Sequence, residues 1–164
     1  MNNDNVLREQ LLALLRGGNA HMGFDNAVAG FPVTRINTQP PNVPYTPWHL
    51  LEHLRIAQWD ILEFIRNPDH ISPEFPKGYW PAVDEQAGEA RWQTTLREFR
   101  ADLQALQELV ADPDVDLLAP IPHAKNYTIL REILVVADHN AYHIGELAAL
   151  RQVMDIWAED SNRP

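Results

Sequence analysis

The chain has no cysteine. Disulfides are therefore excluded, and so is any zinc site with thiolate ligands. Any thiol chemistry must draw its sulfur from a second substrate. Basic residues are also scarce. Lys and Arg number 13 against 23 Asp and Glu, and the formal net charge is −10. Nucleic-acid binding begins with a basic face that releases phosphate counterions. The basic residues here are scattered, so nucleic acid is not an expected partner. No apolar run approaches the roughly 20 residues of a membrane span, and no membrane partner is expected. The first ten residues are polar, unlike a signal or transit peptide, and the expected compartment is the cytoplasm.

What the chain does have is proline, 13 residues of it, and a 45% hydrophobic content. A length of 164 residues suits one domain, spanning 1–164, with its own core. Four segments carry apolar residues at helical spacing, and none shows the two-residue alternation of a sheet. The pattern predicts an all-α four-helix bundle with long proline-rich connections.

The first helix is predicted over residues 4–29, with Val6, Leu7, Leu11, Leu14 and Leu15 on one face. Gly17 and Gly18 weaken its middle by about 1 kcal/mol each and mark a bend or break. The second opens with Thr46 as N-cap and Pro47 at the first helical position, both favoured there. It runs to Arg66, with Leu50, Leu54, Ala57, Ile61 and Phe64 as its buried stripe. The third spans residues 85–111, striped by Trp92, Leu96, Phe99, Leu103, Leu106 and Val110. The fourth starts at Thr128 as N-cap and reaches Met154. It is apolar around most of its circumference, which places it centrally. Residues 67–84 hold four prolines and are long enough to run the full length of a 20-residue helix. They read either as a crossover that makes the second and third helices parallel or as an ordinary long surface loop.

The histidines are clustered. His139 and His143 stand four apart on the fourth helix, so both rings leave one face. Two neutral imidazoles so placed can meet one metal. The zinc-protease pattern is absent, because Asn140 follows His139 where that pattern has a glutamate base. On the second helix, His53 lies beside the Leu50–Leu54 stripe and is expected to point inward. His49, in the first turn, is expected at the rim. Three histidines from two helices leave a coordination place open for water or substrate. A four-histidine site including His49 is the other arrangement. Zinc or nickel is the expected divalent ion, with iron or manganese as alternatives.

The run Asp138-His139-Asn140-Ala141-Tyr142-His143-Ile144-Gly145-Glu146-Leu147, taken with Trp48-His49-Leu50-Leu51-Glu52-His53-Leu54, resembles the DinB/YfiT-like bundle proteins. The likeness extends over nearly the whole chain, including the long second-to-third connection. It implies an up-down-down-up bundle, often dimeric. It also implies a metal held by His53, His139 and His143, with no ligand role for His49. Relatives of this kind include transferases and isomerases that use a low-molecular-weight thiol.

Further candidates surround that triad. His21 and Asp25 share a face near the end of the first helix and are candidates to orient substrate or move a proton. A plain surface pair is the other reading. Glu132 and Glu146 either accept a ligand's free ring N–H or are ordinary helix-surface carboxylates. The expected function is a metal-dependent enzyme that activates a small thiol or water for transfer or hydrolysis. The alternative is a non-catalytic stress-response or binding module with a structural metal. A homodimer is expected from the resemblance and from apolar residues such as Tyr79, Trp80 and Trp157.

Overall fold

Chain-entry signals and glycines divide the sequence into helices much as local chemistry requires. The structure is a computed structural model that describes residues 3–157. It is mostly helical. Helix α1 spans Asn3–Arg16 and α2 spans Phe24–Val28. The segment 4–29 breaks into two helices at the expected point, because Gly17 and Gly18 adopt φ of 67° and 80°. That left-handed region ends a helix and is cheap only for glycine.

Helix α3 spans Pro47–Arg66. The Thr46 hydroxyl accepts from the His49 backbone N–H, and the His49 ring accepts from the Thr46 N–H. Its buried face begins as predicted with Leu50, Leu54 and Ala57. It then continues through Leu62 and Ile65, leaving Ile61 and Phe64 half-buried. Helix α4 spans Glu89–Ala111, four residues shorter at its start than predicted, with Gly88 as N-cap. Residues ahead of it are already engaged: the Ala87 N–H donates to the Asn37 side chain. Helix α5 spans Ile129–Val153 with Thr128 as N-cap. A small antiparallel hairpin, β1 at Pro120–Ile121 and β2 at Ala124–Thr128, precedes it. These strands are too short to show an alternating pattern, which is why the sequence reads as helix only.

Helix α3 packs chiefly against α4 and α5, and α1 fills the side between α4 and α5. The core lies in two apolar clusters. One joins Trp48, Leu51, Leu54, Trp92, Phe99, Ile144 and Leu147. The other joins Leu11, Leu15, Leu62, Ile65, Leu106, Val110, Ile133 and Val136. Between them sits a polar link. The Asn140 amide donates to the fully buried Gln58, whose own amide donates to the Phe99 carbonyl. Three helices are fixed to one another by those two bonds. A second tie is Glu52, buried on α3, which accepts from Arg91 and Thr95 of α4. The pairs 52 with 95 and 58 with 99 climb both helices together.

Helix α5 is less central than its composition predicts. Leu134, Val135 and Tyr142 leave one face open, at 46%, 38% and 64% exposure. Among the described residues, no helix is long and apolar enough to cross a membrane.

Candidate metal centre

The polar link at mid-bundle sets the rotation of α5. With Asn140 turned inward to Gln58, the preceding His139 faces α3, and His143 follows one turn later. His53 reaches them from α3. Its Nε2 lies 3.1 Å from His139 Nε2 and 3.2 Å from His143 Nε2. His53 is buried, and the other two are half-buried.

Two neighbours fix which nitrogens carry protons. The Tyr79 carbonyl lies 2.8 Å from His53 Nδ1, and a carbonyl can only accept. The Glu146 carboxylate lies 2.6 Å from His143 Nδ1. In the neutral form of each ring, the form that ligates, the proton therefore sits on Nδ1 and Nε2 presents a lone pair. Two lone pairs aimed at one another across 3.2 Å repel unless a cation lies between them. Nitrogens bound about 2.0–2.1 Å from one ion stand about 2.9 Å apart at right angles and about 3.4 Å apart at tetrahedral angles. The observed separations fall inside that range, so the residues fit a bound metal. His139 Nδ1 has no hydrogen-bond partner, which leaves its tautomer free to turn Nε2 to the same point.

The electrostatics act in the same direction. Burial lowers the His139 pKa to about 4, and its proximity to the His143 and His53 rings, which disfavours a further proton in the cluster, lowers it too. Burial also lowers that of His53. Both rings are thus held neutral, the form that ligates. Trp80 lies flat against His53, with ring centres 3.9 Å apart and planes 4° from parallel. Tyr45 stacks on Trp80. Its hydroxyl is pushed up to about 12 by burial and then by the nearby Glu146 carboxylate.

The other sequence candidates fall elsewhere. His49 is buried rather than at a rim. Its two ring nitrogens are spent on the Thr46 N–H and the Glu85 carbonyl, so neither is left for a metal. His21 sits in the turn after α1, its Nδ1 against the Met22 carbonyl. It borders Ala137, Ala141 and Ile144, on the side of α5 turned away from His139 and His143. Asp25 pairs with Arg100 on the surface. Glu132 is buried and bound to Arg131, away from the triad. Glu146 is the carboxylate that reaches a ring of the triad, His143.

Sequence reasoning missed Tyr79, Asp60, Tyr45 and the Trp80 stack. The Tyr79 hydroxyl donates to Asp60 at 2.6 Å, and Asp60 also meets His70 at 2.7 Å. A backbone carbonyl that orients a ligand leaves no sequence signal. The available hint was an aromatic pair in a proline-rich connection.

A family model described as the DinB superfamily matches residues 18–147. No curated protein and no solved structure matches the chain.

Proposed function

The chain belongs to the DinB superfamily, and from that premise we propose that it is a metal-dependent enzyme activating a small thiol or water for transfer or hydrolysis. The observation that carries this reading is the convergence of three ring nitrogens, His53 Nε2 within 3.1 Å of His139 Nε2 and 3.2 Å of His143 Nε2. These three residues would hold the ion, with zinc or nickel best suited to imidazole donors and iron or manganese as alternatives. Among the described residues, the candidate metal-binding group has these three donors. That number suits a centre that keeps a position for substrate. A bound ion there supplies Lewis acidity, which favours the deprotonated form of a coordinated thiol or water at neutral pH.

The chain's own residues prepare the site. Tyr79 and Glu146 set the two tautomers. Trp80 covers one face of His53 and keeps water from it. Tyr45 stays protonated beside the Glu146 carboxylate, and its ring backs Trp80. With no cysteine in the chain, the sulfur of a thiol reaction comes from the low-molecular-weight substrate. In this reading the protein is a cytoplasmic, single-domain, up-down-down-up bundle. The pairs that climb α3 and α4 together support that order. So does the contact of Phe64, near the end of α3, with Tyr127, just before α5.

The test begins with metal analysis of protein purified without an affinity tag. His53→Ala, His139→Ala and His143→Ala are each expected to lose the ion, and His49→Ala to retain most of it. Loss in His49→Ala with retention in His53→Ala would refute the ligand set. In cobalt-loaded protein, a small thiol is expected to change the visible spectrum, and His139→Ala to abolish the change. A panel of cellular thiols without spectral effect would eliminate the thiol branch and leave water as the nucleophile.

A further inference from the structure

Beside the triad lies a cavity of about 320 Å³ lined by Pro44, Tyr45, His49, Trp80, Pro81 and Val83. It shares two walls with the candidate metal centre. Trp80 is the ring stacked on His53, and Tyr45 stacks on Trp80 with its hydroxyl near Glu146. The lining offers little to a polar ligand. Both nitrogens of His49 are already bonded within the chain. The Tyr45 hydroxyl lies near the Glu146 carboxylate. The prolines and Val83 have no polar side-chain atom, and no Lys or Arg is present to receive a carboxylate or phosphate. The volume matches the lower end of small-molecule sites, about 300 Å³ and upward, which are mostly apolar with few polar groups. Val83 is 91% exposed, so an apolar side chain stands open to solvent at this cavity rather than being used in the core.

We propose that this cavity receives an aromatic group of the substrate, whose reacting end meets His53, His139 and His143. The flat walls of Trp80, Tyr45 and two prolines suit a planar ring, and ring-on-ring contact adds to simple burial. The inference rests on the metal-centre reading above and specifies its substrate class. It also gives a role to the proline-rich connections, since Pro44 and Tyr45 come from one and Trp80, Pro81 and Val83 from the next.

Two hydroxamates test it on the metal-loaded protein by calorimetric titration. Acetohydroxamate and benzohydroxamate carry the same metal-binding head and differ by a methyl against a phenyl group. After correction for their affinities toward the free ion, benzohydroxamate is expected to bind about ten-fold more tightly or better. Val83→Asp changes an exposed position and puts a charge at the cavity. It is expected to bring the ratio of the two affinities toward one. Equal affinities in the unsubstituted protein overturn the cavity assignment. A ratio that survives Val83→Asp places the phenyl group elsewhere and overturns it too. If neither hydroxamate binds while the metal stays in place, the open-position reading fails, and the cavity's role falls with it.

Discussion

Asp60 touches none of the three histidines, yet it bears on one of them through Tyr79. Its carboxylate holds the Tyr79 hydroxyl at 2.6 Å, and the Tyr79 carbonyl holds His53 Nδ1 at 2.8 Å. Groups that orient a metal ligand typically change metal affinity by 10–100-fold when removed. Asp60→Ala is therefore expected to weaken metal binding by at least about ten-fold in a chelator competition. Tyr79→Phe, which keeps the carbonyl but loses the anchor, should weaken it less. Equal metal affinity in Asp60→Ala would show that the connection orients His53 without this anchor. His139 gives a second residue-scale prediction. Its folded pKa of about 4 lies below the unfolded value of 6.5. As pH falls below that unfolded value, the unfolded chain takes up the proton first, so the folded state loses stability. The stabilising contribution is full above about pH 6.5 and is lost as pH falls to about 4. The shift of His53 has the same sign. Metal-free protein should thus show a lower urea midpoint at pH 5 than at pH 7, and His139→Gln should flatten that difference.

Helix ends were the most legible elements because their chemistry is local. Thr46 with Pro47, and Thr128, are caps that act within three residues, and both helices begin where those residues predict. The break after α1 was legible only as a weak point. Two adjacent glycines are compatible with a bent helix, and tertiary packing decides that the chain turns there. Their conformation yields a contrast. Gly18 has φ +80° and open space around its Cα, so Gly18→Ala is expected to cost about 1–2 kcal/mol through backbone strain alone. Gly145 lies inside α5 with open space where a Cβ would sit, so Gly145→Ala should stabilise by up to about 1 kcal/mol. Denaturant melts of the two variants would separate these effects. A stabilising Gly18→Ala would show that residues 17–18 are not held in the left-handed form. The hairpin before α5 and the shifted stripe of α3 escaped sequence reading for another reason. Both depend on what packs opposite them, which no window of neighbouring residues contains.

At the scale of the whole molecule, the histidine cluster was legible because residue type and helical spacing alone bring two of its members to one face. What supports them was not, because Tyr79, Tyr45 and Trp80 act from connections whose path the sequence does not encode locally. The expected homodimer illustrates the same limit. Trp157 is buried beneath Arg151, its ring 4.1 Å from the guanidinium, so it does not offer the free apolar surface first ascribed to it. Other residues do. Ile71 and Phe75, on the connection between α3 and α4, are 88% and 83% exposed, and α5 leaves Leu134 and Tyr142 open. Apolar side chains grouped on a protein surface mark interaction sites more often than scattered ones do. Association of two copies must overcome repulsion between chains that each carry a formal charge of −10. Salt screens that repulsion within about 10 Å at 0.1 M, while it leaves apolar contact intact. A dimer held this way should therefore tighten as salt rises, the opposite of one held by ion pairs. Sedimentation at micromolar concentration is expected to show a dimer whose dissociation constant falls between 50 and 300 mM NaCl. Phe75→Asp should shift the population to monomer without changing metal content. A monomer at every salt concentration would remove the dimer. A dimer that loosens with salt would keep the assembly but move its interface to charged residues.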